Sequence, residues 1–443
     1  MKRSGQKWVF RFFFFLLIAV FPGMAPAQEG LPPKGKPLSL EQCVELALKY
    51  QPLLQASQAS IAAQKARVEQ ALAAYYPQIN FNSTYSTSTT NFTTVGGAVR
   101  SAGNSGSFID IFSMGPTLNQ LIYDFGRTAN AVKINRENRN ASEQDLQTTI
   151  QNVVLNVKQT YYGVLQGLAL IKVAEDTLGQ SQKRLDQAKG FYEAGTRPKI
   201  DVTNAEVNSA NVQLALIRSK NNYQVARANL NNAMGLREDL NFAIEESLEF
   251  KPKGIALEEI LHSAYARRPE ILQIKARQRS QEASVDLARS SYYPTLSGNA
   301  SNLYRTDRPP RDFVWDWSFG AILTVPIFSG FSTPNQIAEA KANLKNLEAQ
   351  EESLRQNIRL EAEQAYLSRK EAIERITVTE KTLDQAKENY DLASGRYQVG
   401  VGQPLEITDA EVLLANARAN HIQALYDFKV AEARIDKAMG LSR

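Results

Sequence analysis

The sequence predicts a mixed α and β protein that is written twice, each copy holding long helices and a pair of strands. Residues 40–236 return as residues 257–441, and Tyr75-Tyr76-Pro77 recurs as Tyr292-Tyr293-Pro294 at an offset of 217. Each copy also contains a heptad run and an alternating apolar and polar stretch, which are typical of packed helices and of half-buried strands. We therefore expect one body of two structural repeats, joined by a linker at residues 237–256.

The amino terminus predicts a signal peptide over residues 1–27, so that the mature chain covers residues 28–443. An apolar stretch too short to span a bilayer follows a basic start and precedes a small-residue cleavage site. The formal net charge of +5 falls to +1 when the four cations of this segment are removed, namely Lys2, Arg3, Lys7 and Arg11. A nucleic-acid partner is therefore not indicated. No later apolar stretch is long enough to predict a transmembrane helix.

A helix is predicted near the start of each copy, over residues 53–74 and 271–291. Both stretches lack Gly and Pro, and Pro77 ends the first of them.

Cys43 is the single cysteine of the chain and cannot form an intramolecular disulfide. We expect it to be a small buried residue on the apolar side of the first helix.

Strand pairs follow, at about residues 78–123 and 295–328. In copy two, aromatic and polar residues alternate over residues 313–325, a length and pattern that fit a transmembrane β-strand. In copy one, a cluster of Gly, Ser and Asn at residues 96–107 predicts a long loop between two strands. Four strands cannot close a barrel, and lipid does not tolerate an open sheet edge. If these strands span a membrane, several chains must share one barrel.

A very long helix follows each strand pair. In copy one, apolar residues recur at strict seven-residue steps over residues 150–192, and copy two has the equivalent run over about residues 337–397. A strict heptad over that distance predicts supercoiled helix packing. Residues 127–192 as one helix would be about 100 Å long.

Both long helices are predicted to end in the same way. Gly195 and Gly400 stand where a left-handed C-cap is wanted, and each is followed by a Pro near the start of a returning helix. The sequence therefore predicts helical hairpin tips at about residues 190–206 and 395–411.

With these features in this order, the chain resembles the outer-membrane efflux protein family, the TolC-like outer-membrane channels. The resemblance rests on the two copies, the Tyr-Tyr-Pro entries, the Gly-containing tips and the strand exits at residues 123–126 and 328–331, which are degenerate forms of Phe-Asp-Gly-Gly. It implies a mixed α and β, TolC-like fold. Four transmembrane β-strands per chain would contribute to a shared trimeric twelve-stranded barrel, continued by a long coiled-coil α-helical barrel in the periplasm.

The resemblance also implies a function in the cell outer membrane, extending into the periplasm. The chain would be a homotrimeric exit duct of a tripartite efflux or type I secretion system, passively conducting substrates to the cell exterior. Its implied partners are a periplasmic adaptor (membrane fusion) protein, an inner-membrane pump of resistance-nodulation-division, ABC or major-facilitator type, and outer-membrane lipid. No enzymatic activity, cofactor or metal is implied.

Three residues near the tip of copy two match the family's pore constriction: Tyr397, Glu406 and Asp409. The two acids are three residues apart and share a helix face. In a trimer they would place six carboxylates around the bore, which would favour cations. Acids in the first turn of a helix also complement its dipole, and Tyr397 is also the last apolar position of its heptad run. Both interpretations stay open for these residues.

The resemblance places the tip lock and the adaptor-docking surface at five positions: Gly195, Arg197, Asp201, Gly400 and Gly402. The family pattern has an Arg in the copy-two tip where this chain has Gly402, whereas Arg197 occupies the equivalent place in copy one, followed by Asp201. The residue pairs that lock this tip therefore depart from the family pattern.

Two hypotheses from other classes compete with the duct. A soluble periplasmic coiled-coil adaptor would share the long hairpins but would leave the aromatic strand at residues 313–325 unexplained. An exported enzyme would need a site, and the two histidines, His262 and His421, lack metal-ligand spacing. No phosphate loop, nucleophile elbow or zinc-protease motif is present.

Overall fold

The computed structural model describes residues 37–89, 92–95, 98–101, 108–236, 243–245, 250, 252, 254–306 and 312–441. The predicted signal peptide and much of the predicted linker lie outside the described residues.

Each half begins with two short helices separated by a break at Pro. Helix α1 (Leu40–Tyr50) is followed by α2 (Pro52–Leu72), and α5 (Leu257–Arg267) is followed by α6 (Pro269–Ser290). The second helix of each pair opens on the Pro itself, which fits the first helical position because its missing N–H is not needed there. The helices predicted at residues 53–74 and 271–291 are thus confirmed within two residues. Cys43 is fully buried on α1, as expected, and its burial raises the pKa of its thiol to about 12.

Four long helices form the body of the molecule. Helices α3 (Arg127–Glu193) and α7 (Ser332–Gln398) have 67 residues each, and the returning helices α4 (Lys199–Ala233) and α8 (Pro404–Ala438) have 35 each. At about 1.5 Å per residue, α3 and α7 are each about 100 Å long. The long continuous helices that the heptads predict are therefore present.

Only part of the predicted heptad seam is buried. Val157 and Val164 are at most 1% exposed, whereas Tyr192 at the far end is 46% exposed. The helices are arranged as a single layer, in the order α4-α3-α8-α7 near the tips and α2-α3-α6-α7 nearer the strands. Helix α1 packs against α3 and adds to the apolar core around Val157 and Val164, so the seam is shielded there and more open toward Tyr192.

Six strands are described, and four of them form one antiparallel sheet. The sheet has the order β1 (Gln78–Thr89), β4 (Phe108–Tyr123), β5 (Thr295–Thr306) and β6 (Val314–Thr324). Between β1 and β4, where a long loop was predicted, β2 (Phe92–Val95) and β3 (Ala98–Ser101) pair as a separate hairpin. The loop prediction was wrong at residues 98–101, because Ala-Val-Arg-Ser pairs in antiparallel register with Phe-Thr-Thr-Val, a stretch of high β propensity.

The strand register separates an apolar face of the sheet from a polar one. Directly opposed pairs such as Tyr85 with Phe112 and Tyr304 with Trp315 lie on one face. The Trp315 and Trp317 rings make contact on that same face, 6.3 Å apart. Alternation in β6 therefore predicted the faces correctly. Within the described residues, no helix is both long and apolar enough to cross a membrane.

Each half passes from its last strand to its long helix through a turn with two successive left-handed residues. We call residues 124–126 and 329–331 the exit turns. In the first, Phe125 and Gly126 have φ values of 53° and 88°, and in the second, Gly330 and Phe331 have 61° and 63°. A left-handed conformation costs a residue with a side chain about 1–2 kcal/mol. Both exit turns therefore hold a strained phenylalanine.

Candidate functional site

The two hairpin tips have the same backbone geometry. Gly195 and Gly400 have φ values of +73° and +82°. In the first tip, Thr196 N donates to Phe191 O over 3.0 Å, and in the second, Val401 N donates to Arg396 O over 3.1 Å. These bonds satisfy the carbonyls left free at the end of a helix. The predicted glycine caps are confirmed.

Gly402 is required by close packing against the end of α7. It is buried, and its amide donates to Arg396 O over 2.8 Å. A Cβ added at Gly402 would lie 2.8 Å from Tyr397 N and 2.9 Å from the carbonyl carbon of Arg396. This tip conformation therefore has no room for the Arg that the family pattern would put at residue 402.

Arg197 joins the tip of the first half to the tip of the second. Its Nη2 donates to the carbonyl oxygens of Gly402 over 2.9 Å and of Gly400 over 3.4 Å. Its guanidinium also lies 5.9 Å from the centre of the Tyr397 ring, and its Nη1 lies 4.0 Å from Asp201 Oδ2. The structure thus brings together Arg197, Asp201 and both copy-two glycines.

Tyr397 is packed inside the tip of the single chain. It is 2% exposed and lies in an apolar cluster with Ile407 and Ala410, with the Phe191 ring edge-on at 5.8 Å. Burial raises the pKa of its hydroxyl, while Arg197 opposes that rise. The heptad interpretation of Tyr397 therefore describes its packing in one chain, and its role in a pore stays a prediction.

Glu406 and Asp409 are both exposed near the start of α8. Glu406 Oε2 lies 3.4 Å from Arg396 Nε, but both side chains are about half exposed, so the pair is weakened by solvent. Glu406 is in the first turn of the helix, where its charge complements the dipole. Both carboxylates are accessible to solution or to a bore.

A buried ion pair just behind the tip was missed by the sequence analysis. Arg184 on α3 pairs with Glu411 on α8, and their side chains are only 6% and 3% exposed. Arg184 Nη1 also donates to Thr408 Oγ1 over 3.2 Å. Burial lowers the pKa of Arg184 to about 10. The copy-one equivalent of Glu411 is Glu206, which is exposed, so the repeat gives no sign of this pairing.

Comparisons with known proteins agree with this architecture. The model of the family described as "Outer membrane efflux protein" matches residues 43–236 and 260–441. The outer membrane protein TolC of Escherichia coli K12 is 22% identical over 343 residues, covering 73% of this chain and 68% of the relative. The cation efflux system protein CusC of the same strain is 24% identical over 342 residues, covering 71% and 70%. A crystal structure of CusC covers 91% of this chain and 92% of its own, with a TM-score of 0.78 at 20% identity.

Proposed function

This chain belongs to the outer membrane efflux protein family, and from that premise we propose that it works as the homotrimeric exit duct of a tripartite efflux or type I secretion system. It is an outer-membrane protein with the mixed α and β fold of the TolC-like channels, and its helical part extends into the periplasm. The family is one of efflux channels and not a class of enzymes. The soluble-adaptor and exported-enzyme hypotheses thereby lose their support.

The open edges of the sheet and of the helical layer support the proposal that several copies form a closed ring. The sheet ends at β1 and β6, and the helical layer ends at α2 and α4 on one side and at α7 on the other. Because α2 leads into β1 and β6 leads into α7, the open sheet edges and the open helix edges lie on the same two sides. A head-to-tail contact between identical copies would cover both and can close into a ring. Lipid would strongly penalise the unpaired strand edges of a single copy.

Apolar side chains mark the same open edges of the helical layer. On α4, Ile200, Val207 and Leu214 recur every seven residues and are 64%, 56% and 46% exposed. On α7, Leu360 and Leu367 are 53% and 60% exposed. Such heptad positions pack against a partner helix in supercoiled assemblies. The resemblance sets the number of copies at three, which gives a barrel of twelve strands.

The tips are the proposed place of closure and of docking. Three copies would bring six carboxylates of Glu406 and Asp409 toward one axis, where they would favour cations. The exposed side chains of the tip segments at residues 190–206 and 395–411 would meet the helical hairpin of a periplasmic adaptor, which in turn meets an inner-membrane pump. The duct itself would conduct passively, and the inner-membrane pump would supply the energy.

The oligomeric state is tested by measuring the mass of the protein extracted in a mild detergent. The wild type is compared with a variant that carries a charge at one of the exposed apolar heptad positions of α4. We expect three chains, and we expect Val207→Lys to shift the protein toward smaller species because the new charge would be buried between copies. Gln213→Lys adds the same charge to an exposed position about a third of a turn away on α4 and should leave the trimer intact. A monomeric wild-type protein would refute the ring.

A further inference from the structure

The returning helix of copy two carries two cations that its counterpart in copy one lacks. At the offset of 205 that relates α4 to α8, Arg434 is equivalent to Asn229 and Lys437 is equivalent to Asn232. Cations near the end of a helix complement its dipole, but α4 has the same length of 35 residues and has no basic residue in its last turn. The end of the helix therefore does not account for the two charges of α8.

Arg434 and Lys437 lie on the same side of α8 as the two acids near its start. Each cation follows one acid by 28 residues, Arg434 after Glu406 and Lys437 after Asp409. Buried alanines recur along α8 at steps of seven residues, so residues 28 apart keep the same angle to its packed side. These alanines are at most 4% exposed: Ala410, Ala417, Ala424, Ala431 and Ala438. The cations are about 42 Å farther along the helix than the acids, on the side of the wall that we propose as the bore.

The two cations line a cavity of about 400 Å³ between α3, α7 and α8. Arg434 is exposed there and Lys437 is partly buried. A cavity of this size accommodates a small organic ion or a charged group of a larger solute. Further side chains of the same chain that line it are Leu155, Glu361, Gln364 and Ser368.

Neither cation is neutralised by an acid of its own chain. Within the part of the chain that the structure describes, neither Arg434 nor Lys437 forms an ion pair with a carboxylate. Asp436 stands between them in the sequence, but its carboxylate lies 2.8 Å from Lys158 Nζ on α3. The two charges are therefore available to a ligand.

The acid that lines the cavity is already held by a third cation. Glu361 Oε2 lies 2.8 Å from Nη2 of Arg268, a side chain that is 2% exposed and that also pairs with Glu270 at 3.0 Å. With Arg434 and Lys437 included, three cations and two acids leave a net charge of +1 in each chain at this level. A trimer would have three such sites around its bore.

We propose that this cavity is an anion site on the bore wall, in which Arg434 and Lys437 bind a carboxylate or phosphate group of a passing solute. Arginine offers paired N–H donors to such oxygens, and lysine offers a compact charge. The acids at the tip are about 42 Å away, several times the Debye length of about 8 Å at physiological salt, so their charge is screened at the cavity. The bore would have two regions of opposite preference, cations at the tip and anions at mid-height. The inference rests on the proposed bore, but a single chain builds the binding site itself.

Binding is tested by calorimetric titration of citrate, or of inorganic phosphate, into the mature protein in mild detergent at low salt. We expect saturable binding of one anion per chain that weakens as salt is added. Arg434→Asn with Lys437→Asn installs the residues of copy one and should weaken binding about tenfold. Lys381→Asn with Lys387→Asn removes the same charge from exposed positions of α7 and should bind as the wild type does. Tighter binding of citrate would indicate carboxylate-bearing solutes, and tighter binding of phosphate would indicate phosphate-bearing ones.

Two results of this titration would overturn the site. One is that neither anion binds the wild type at millimolar concentration and low salt. The other is that the Arg434→Asn and Lys437→Asn double variant binds as tightly as the wild type. Arg434→Gln and Lys437→Gln, made singly, provide the same test in case the double variant does not assemble, and each should weaken binding about threefold.

Ion selectivity in a planar bilayer tests the position in the bore separately. The double variant should raise the cation preference of the assembled channel, which is the opposite of the change expected when Glu406 and Asp409 are replaced. If the variant loses citrate binding but keeps the wild-type selectivity, the site lies outside the conduction path and the bore placement is wrong. If the wild type binds citrate but forms no channel, the anion site stands and the proposed duct fails.

Discussion

The contact inside the second hairpin and the contact between the two hairpins of this chain are made of different chemistry. Inside it, α7 and α8 share a buried apolar core of Ala372, Ile376, Ala424 and Phe428, all of which are at most 3% exposed. Partly exposed ion pairs, such as that of Arg375 with Asp427, lie beside this core. Between the hairpins, α3 and α8 meet through charged and amide side chains. Lys158 pairs with Asp436 at 2.8 Å, Asp176 with Arg418 at 3.8 Å, and Gln166 with Gln423.

The two kinds of contact have different roles. One holds the two helices of a hairpin together, and the other sets the position of one hairpin relative to the other. Apolar packing is non-directional and grows with the area removed from water, so the heptad seam holds each hairpin together. Ion pairs and hydrogen bonds are directional, and exposed ones contribute little net energy. We therefore expect the polar contacts to set the register between α3 and α8 more than to stabilise it, with Arg184 and Glu411 as the buried exception.

Breaking the apolar seam should have the largest effect. Phe428→Ala removes a fully buried ring from between α7 and α8, and we expect it to lower the free energy of unfolding by about 3–5 kcal/mol. Chemical denaturation followed by circular dichroism measures this loss. Phe428→Leu keeps most of the volume and should cost clearly less. A Phe428→Ala variant as stable as the wild type would show that the seam does not hold the hairpin.

Breaking the buried ion pair should come next. Among the described residues, Glu411→Ala leaves the Thr408 hydroxyl as the remaining partner of the buried Arg184 guanidinium, and we expect a loss of about 3 kcal/mol. Replacing both charges, Arg184→Met with Glu411→Leu, should restore most of that stability because no charge is left unpaired. If the double variant is no better than Glu411→Ala alone, the cost comes from lost shape and not from an orphaned charge.

The bridge between the tips should have a smaller, local effect. Arg197→Ala removes two hydrogen bonds to the carbonyls of Gly400 and Gly402, and we expect a cost of about 1.5 kcal/mol. Hydrogen exchange at the amides of residues 399–402 should become faster while the middle of α7 is unchanged. Arg396→Ala breaks a pair that is about half exposed and serves as the control. Equal exchange in the two variants would argue against a bridge at Arg197.

An exposed contact between the hairpins should matter least. Asp176→Asn weakens the 3.8 Å pair with Arg418, in which Asp176 is 58% exposed, and we expect a change of about 0.2–1 kcal/mol that disappears at high salt. The same denaturation curves measure it. A loss as large as that of Glu411→Ala would mean that the polar contacts carry the stability of the joint.

Sequence reasoning succeeded where the signal is local and periodic, and failed where it depends on which helices become neighbours. The heptads predicted the long helices, the two glycines predicted the caps, and the alternation in β6 predicted the faces of the sheet. Nothing along the chain indicates that α3 and α8 lie side by side, so Arg184 and Glu411 could not be paired in advance. Gly402 was noticed as a departure from the family, but its steric reason and the compensating bond from Arg197 need three-dimensional contacts. The strained phenylalanines were seen only as a degenerate motif.

We propose that copies of this chain enclose a bore narrowed at Glu406 and Asp409. Single-channel recording of the assembled protein in a planar bilayer tests it most directly. We predict that Glu406→Ala with Asp409→Ala raises conductance or weakens cation preference, and weakens block by trivalent cations, while the trimer stays intact. Asp384→Ala with Glu388→Ala removes the same charge from exposed positions farther up α7 and should have little effect. If conductance, selectivity and block are all unchanged in the assembled double variant, the two acids serve only the helix dipole and the constriction lies elsewhere.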